Sequence, residues 1–165
     1  MELKKRFNSK CIFIGLYFVA FLAYIIYGLQ PVEAAQSYEI ADQLEIPSIA
    51  LDTDVAKLQL EADGLHTPDK IVGSYTKNDN KTLLIGHSTT VFRDLDKVDL
   101  DATIIYSGQK YRVTAIDMEQ KDKIDMSKLL QETDRDTLVI MTCAGKLLEK
   151  GDATHRLIIT AVSQV

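Results

Sequence analysis

The sequence predicts an all-β domain, a closed barrel of about eight strands with short helices, preceded by one N-terminal transmembrane helix. Three observations carry this reading. Short apolar runs separated by turn residues recur from residue 41 onward, and several alternate apolar and polar side chains with a period of two. A third feature stands apart from both: residues 11–29 form one uncharged apolar block.

That block divides the chain into a basic tail (1–10), a membrane segment (11–29), a linker (30–40) and a domain (41–165). As a helix rising ~1.5 Å per residue, CIFIGLYFVAFLAYIIYGL is roughly 28 Å long, close to the hydrocarbon thickness of a bilayer. Lys4, Lys5, Arg6 and Lys10 precede it, and Glu33, Glu39 and Asp42 follow. Basic flanks stay on the cytoplasmic side, so the expectation is a single-pass anchor with its N-terminus inside and the domain extracytoplasmic. A cleaved signal peptide is the alternative, because Val32-Glu33-Ala34 has small residues at the spacing a signal peptidase reads. The block exceeds the ~7–15 residues of a secretory apolar core, which favours the anchor. Both readings export the domain.

Within the domain, residues 44–51 read as an opening strand broken at Pro47, and 55–60 as a second. The stretch ADGLHTPD (62–69) is loop and KNDNK (77–81) a turn. TLLI (82–85) is a short buried strand, followed by Gly86 and His87. Residues 103–106 and 110–118 flank Ser107-Gly108-Gln109 as a hairpin, the second strand alternating Tyr111, Val113 and Ala115 with Arg112, Thr114 and Ile116. Residues 126–131 form one or two helical turns. TLVIMT (137–142) is an apolar strand running into Cys143, and Arg156 opens the last strand, 156–162.

Composition limits the partners. The formal net charge is −5, and no basic stripe interleaved with aromatics appears, which argues against nucleic acid. The acidic residues Asp94, Asp96, Asp99 and Asp101 lack the spacing and glycine of an EF-hand loop and read as a solvated surface. No metal or other cofactor is expected, and calcium dependence has no support in the sequence. Cys11 lies inside the apolar block, so Cys143 is expected to be a free thiol, either a small buried hydrophobe or a reactive group.

Reactive groups at strand ends are held by the sheet yet face the loops. His87, Cys143 and Arg156 all occupy such positions. A thiol needs a base or cation beside it before it attacks, and a histidine supplies that and later protonates the leaving amine. Negative charge building on a carbonyl oxygen needs a fixed donor, which an arginine provides. Together the three make an acyl-transfer set. His66 reads as a solvated loop residue, and His155 is expected on the opposite strand face from Arg156.

The motifs themselves resemble the sortase family. Thr142-Cys143 closing an apolar strand, Gly86-His87-Ser88, Arg156 opening the next strand and Ile46-Pro47-Ser48-Ile49 together carry the resemblance, which covers residues 41–165. It implies a β-barrel cysteine transpeptidase on the outer face of a Gram-positive-type membrane. Such an enzyme cleaves an LPxTG-like sorting signal of a secreted protein between Thr and Gly, through a thioacyl intermediate on Cys143. It then passes the protein to an amine acceptor, a cell-wall precursor or a pilin lysine. Carried over by position, His87 is the acid/base, Arg156 holds the oxyanion and Thr142 shapes the substrate pocket. Ala144-Gly145 stands where several members carry acidic residues, and no subclass is assigned. The alternatives are an exported cysteine endopeptidase or hydrolase of the same fold, and a non-catalytic wall-binding domain. The order His before Cys is opposite to that of papain-like enzymes, and its faint echo of caspases conflicts with export and a strand-rich domain.

Overall fold

Turn residues and the two-residue alternation of side chains account for most of the architecture. The computed structural model describes residues 38–62, 64–78, 80–148 and 152–164, so the expected tail, anchor and most of the linker lie outside the described residues. Among the described residues no helix is long and apolar enough to cross a membrane. The strands are β1 (Ile40–Ile46), β2 (Leu51–Lys57), β3 (Val72–Asn78), β4 (Lys81–Ile85), β5 (Thr103–Tyr106), β6 (Gln109–Gln120), β7 (Thr137–Leu147) and β8 (Ala153–Ser163). They close into a barrel in the order β1-β2-β3-β4-β7-β8-β6-β5. The expected all-β closed barrel is therefore present.

Most neighbours are antiparallel, whereas β2–β3 and β4–β7 are parallel. A parallel pair needs a long crossover, and the one from β4 to β7 carries β5, β6 and the only α-helical turn among the described residues, α1 (Met126–Leu129). Asp125 caps that turn by accepting from the amides of Ser127 and Lys128 at 3.0 and 3.4 Å.

In the first half of the barrel two details depart from the sequence reading. The run around Pro47 is not one broken strand: Pro47–Ile49 forms a 3-10 turn, Ala50 adopts φ 50°, and the chain reverses so that Ile46 pairs with Leu51. Strand β3 was not anticipated, and it fills the gap between β2 and β4. The β5–β6 hairpin turns on two residues, with Ser107 and Gly108 at φ 49° and 75°, as the twist of a tight hairpin requires.

Side chains on the inner faces fill the barrel, among them Leu44, Val55, Leu84, Ile104, Leu138, Ile140 and Ile159. A second cluster lies on the other face of β4, β7 and β8, where Leu83, Val139 and Ile158 pack with Leu58 and Leu130. Strand β7 is thus covered on both sides, which is why its first half is continuously apolar rather than alternating. Burying each such side chain contributes roughly 1.5–3 kcal/mol.

At the β1–β5 seam the ladder is short, and polar side chains reinforce it. The buried Tyr106 hydroxyl donates to Asp42 at 2.8 Å, and nearby Tyr111 donates to Asp136 at 2.6 Å. Burial, followed by these carboxylates, raises both phenols well above their ordinary value. A raised folded-state value means that this stabilisation is complete below the unfolded pKa and is lost as pH rises through the folded one. Stability should accordingly fall with pH above about 10. Replacing both Tyr106 and Tyr111 with Phe should flatten that alkaline limb in urea titrations.

Candidate active site

The site forms where β4 ends beside β7. Parallel pairing sets Ile85 against Met141, so the chain leaving β4 runs alongside Thr142 and Cys143. Gly86 comes next, and a Cβ there would lie 2.6 Å from Val91 and 2.7 Å from Phe92. Only glycine lets the loop carrying the buried Phe92 close over the strand end. The loop then folds back on His87, whose carbonyl accepts from the amides of Thr90 and Phe92 at 3.2 and 3.0 Å.

Thr142 fastens this loop to β7. Its hydroxyl is buried and donates to the Gly86 carbonyl at 2.7 Å. Cys143, one residue on, has the opposite facing and lies on the side of β7 that carries Val139 and Met141. The strand does not stop at the cysteine as expected but continues to Leu147, with an irregularity in its pairing after Ala144. Likewise β8 begins before Arg156, at Ala153. The two residues are directly opposed: Cys143 pairs with Arg156 in the β7–β8 ladder. Opposed residues of an antiparallel pair present side chains to the same face.

His87, Thr142, Cys143 and Arg156 all line one open cavity of about 530 Å³. Its remaining wall is mainly apolar, including Leu65, Tyr75, Ile85, Leu130 and Met141, a surface suited to an extended peptide with apolar side chains. His155 lines a different depression, on the other side from Arg156.

The electrostatics of the three reactive groups differ. The His87 side chain is 42% exposed, and its Nε2 lies 3.9 Å from an Asp69 carboxylate that is 96% exposed. A pair so solvated contributes little to holding the ring. Arg156 is only 15% exposed and is held firmly: Nη2 donates to Asp152 at 2.8 Å, and Nη1 donates to the carbonyls of Ala153 and His155 at 3.1 and 3.0 Å. Among the described residues Cys143 is the one free thiol. In the acidic run, Asp94 accepts from Lys97 Nζ at 2.6 Å. Sequence reasoning missed Asp152 and Asp69. Both sit in loops, where no periodicity indicates which side chain returns to the site.

Thr142→Val keeps the shape but leaves the buried Gly86 carbonyl unpaired. It should cost about 1–3 kcal/mol in a urea unfolding midpoint and loosen the His87 loop, read as faster amide exchange at residues 87–92.

Comparison with known proteins agrees with this geometry. The family model described as "Sortase domain" matches residues 44–164. A lid mutant of sortase A from Corynebacterium diphtheriae superposes with a TM-score of 0.59 at 21% identity, covering 86% of this chain and 79% of that one. Sortase C from Clostridium perfringens SM101 gives 0.57 at 21% identity, covering 77% and 71%. For Listeria monocytogenes sortase A the values are 0.60 at 14%, covering 76% and 88%. A search of curated protein sequences finds no match. The family match over most of the chain, on a barrel that sortases share, establishes that this chain belongs to the sortase family, whose members are cysteine transpeptidases.

Proposed function

We propose that the chain is a membrane-anchored, extracytoplasmic transpeptidase that cleaves an LPxTG-like sorting signal between Thr and Gly and joins the Thr carbonyl to an amine. The observation that carries this reading is the facing of Cys143 and Arg156 across the β7–β8 ladder, with His87 lining the same apolar groove. The basic tail, the uncharged block and the acidic residues after it support the anchored, outward-facing orientation.

The proposed chemistry runs in two halves. The Cys143 thiolate attacks the Thr carbonyl carbon, and the oxygen takes the negative charge. Arg156 meets that charge with N–H groups already fixed in place, in a groove whose apolar walls strengthen the interaction. As the C–N bond breaks, His87 gives its proton to the departing Gly amine, leaving a thioacyl group on Cys143. An incoming amine, from a cell-wall precursor or a pilin lysine, then loses a proton to His87 and attacks the thioester, which restores the thiolate. Thr142 acts by holding the Gly86 carbonyl, and with it the start of the His87 loop.

Hydrolysis is a second reading with its own observation. His87 is open to solvent, so water can compete with the amine for the thioester. The two are separated by product analysis with and without added amine.

The test uses the full-length chain in detergent, a peptide containing Leu-Pro-Glu-Thr-Gly, and triglycine. Mass spectrometry should find the Thr–triglycine product with the wild type and none with Cys143→Ala. Hydrolysis that added amine does not divert would move the assignment to a hydrolase. In the same assay Arg156→Lys should lower kcat by about 10²–10³, the scale of losing an oxyanion donor, because Lys lacks the planar fork.

A further inference from the structure

Asp152 lies four residues before Arg156, just ahead of β8. Nothing in the reaction requires it, yet both of its carboxylate oxygens are engaged. Oδ1 accepts from Arg156 Nη2 at 2.8 Å and from the Ala153 amide at 2.8 Å, and Oδ2 accepts from Lys121 Nζ. Lys121 belongs to a different part of the chain, the 3-10 turn (Lys121–Lys123) that follows β6. Together they form a Lys–Asp–Arg chain joining the end of β6 to the groove.

We infer that Asp152 is a positioning residue for the transpeptidase reaction: bridged to Lys121, it locks the Arg156 guanidinium in the orientation that meets the oxyanion. This rests on the reading of Arg156 given under the proposed function.

The hydrogen-bond inventory supports it. A guanidinium has five N–H donors in a rigid plane. Arg156 directs both Nη1 hydrogens to backbone carbonyls and one Nη2 hydrogen to Asp152, which leaves Nε–H and the second Nη2–H for a substrate oxygen. With Asp152 removed, the planar group keeps only the two Nη1 bonds and can swing about the side chain. Charge supports it as well. A carboxylate against Arg156 would by itself weaken the positive field that stabilises an oxyanion, but Lys121 offsets it, so the three groups together carry one net positive charge. The cations, Lys121 before Arg156, also hold the Asp152 carboxyl well below the ordinary carboxylate range, so it stays ionised wherever the enzyme would work.

A purely structural role is the competing explanation, because Asp152 also caps Ala153 and its carbonyl accepts from the Leu148 amide at 2.7 Å. The two are separable with full-length Asp152→Ala and Asp152→Asn variants, rates being normalised to the Cys143 thiol titrated in the folded protein. A structural role lowers the amount of folded enzyme and leaves the normalised rate unchanged. The positioning role lowers normalised kcat by about 10- to 100-fold in Asp152→Ala with KM changed less than about threefold, because the lost interaction acts in the transition state. Asp152→Asn retains a neutral acceptor and should fall between. A second readout does not depend on turnover: nitrogen-15 spectra of the Arg156 guanidinium, assigned with Arg156→Lys. Slow rotation of its Nη groups in the wild type should become fast in Asp152→Ala. Unchanged rotation, or a normalised kcat within twofold of wild type, would overturn the proposal. If the wild type ligates no peptide, the functional reading fails, and the guanidinium spectra still decide whether Asp152 holds Arg156.

Discussion

Strand β7, paired in parallel with β4 and antiparallel with β8, sets where Cys143 lies relative to the other residues of the groove. One register places Met141 beside Ile85, and the other places Cys143 opposite Arg156. A slip of one residue in either ladder would turn the Cys143 side chain to the opposite face of the sheet, away from Arg156, since side-chain facing has a period of two. The register is protected because both faces of β7 are buried. Leu138 and Ile140 fill the barrel, while Val139 belongs to the outer cluster beneath the groove. A slipped strand would have to repack both clusters at once.

The same arrangement divides labour between packing and polar groups. Apolar contacts hold the sheet, and single hydrogen bonds aim the loops that leave it. Thr142 to Gly86 anchors the histidine loop, and Asp152 to Arg156 anchors the guanidinium. His87 is the exception, half exposed and weakly paired with Asp69. This contrast suits the proposed chemistry: a donor to an oxyanion must be fixed before charge develops, whereas an acid/base must first serve a leaving amine and then an incoming one.

How much of this was legible in the sequence depended on how locally each feature is encoded. TLVIMT was readable because a strand buried on both faces is apolar throughout. The β5–β6 hairpin was readable because Ser107-Gly108 takes the left-handed conformations its turn needs. The residues Cys143, His87 and Arg156 stood out as polar groups at the ends of apolar runs, and the barrel gathers them at one groove. Strand β3 was missed because VGSYTKN carries Gly73, Ser74 and Lys77, which break the apolar pattern, and Gly73 is where Leu58 packs against the backbone. Pro47 was misread because a proline that ends a strand and one that opens a 3-10 turn look alike until the partner strand is known. Asp152 could not be found from a motif. Its role exists only once Lys121, far away in sequence, is brought beside it by the barrel.

Under the proposed mechanism Cys143 becomes acylated by its substrate. The most direct measurement is intact-protein mass spectrometry of the full-length chain, acid-quenched during turnover of a Leu-Pro-Glu-Thr-Gly peptide without added amine. The expected result is a peptide adduct lacking the residues after Thr, located on Cys143 and released by hydroxylamine as a thioester should be. Peptide cleavage with no adduct on Cys143, or cleavage that persists in Cys143→Ala, would contradict it.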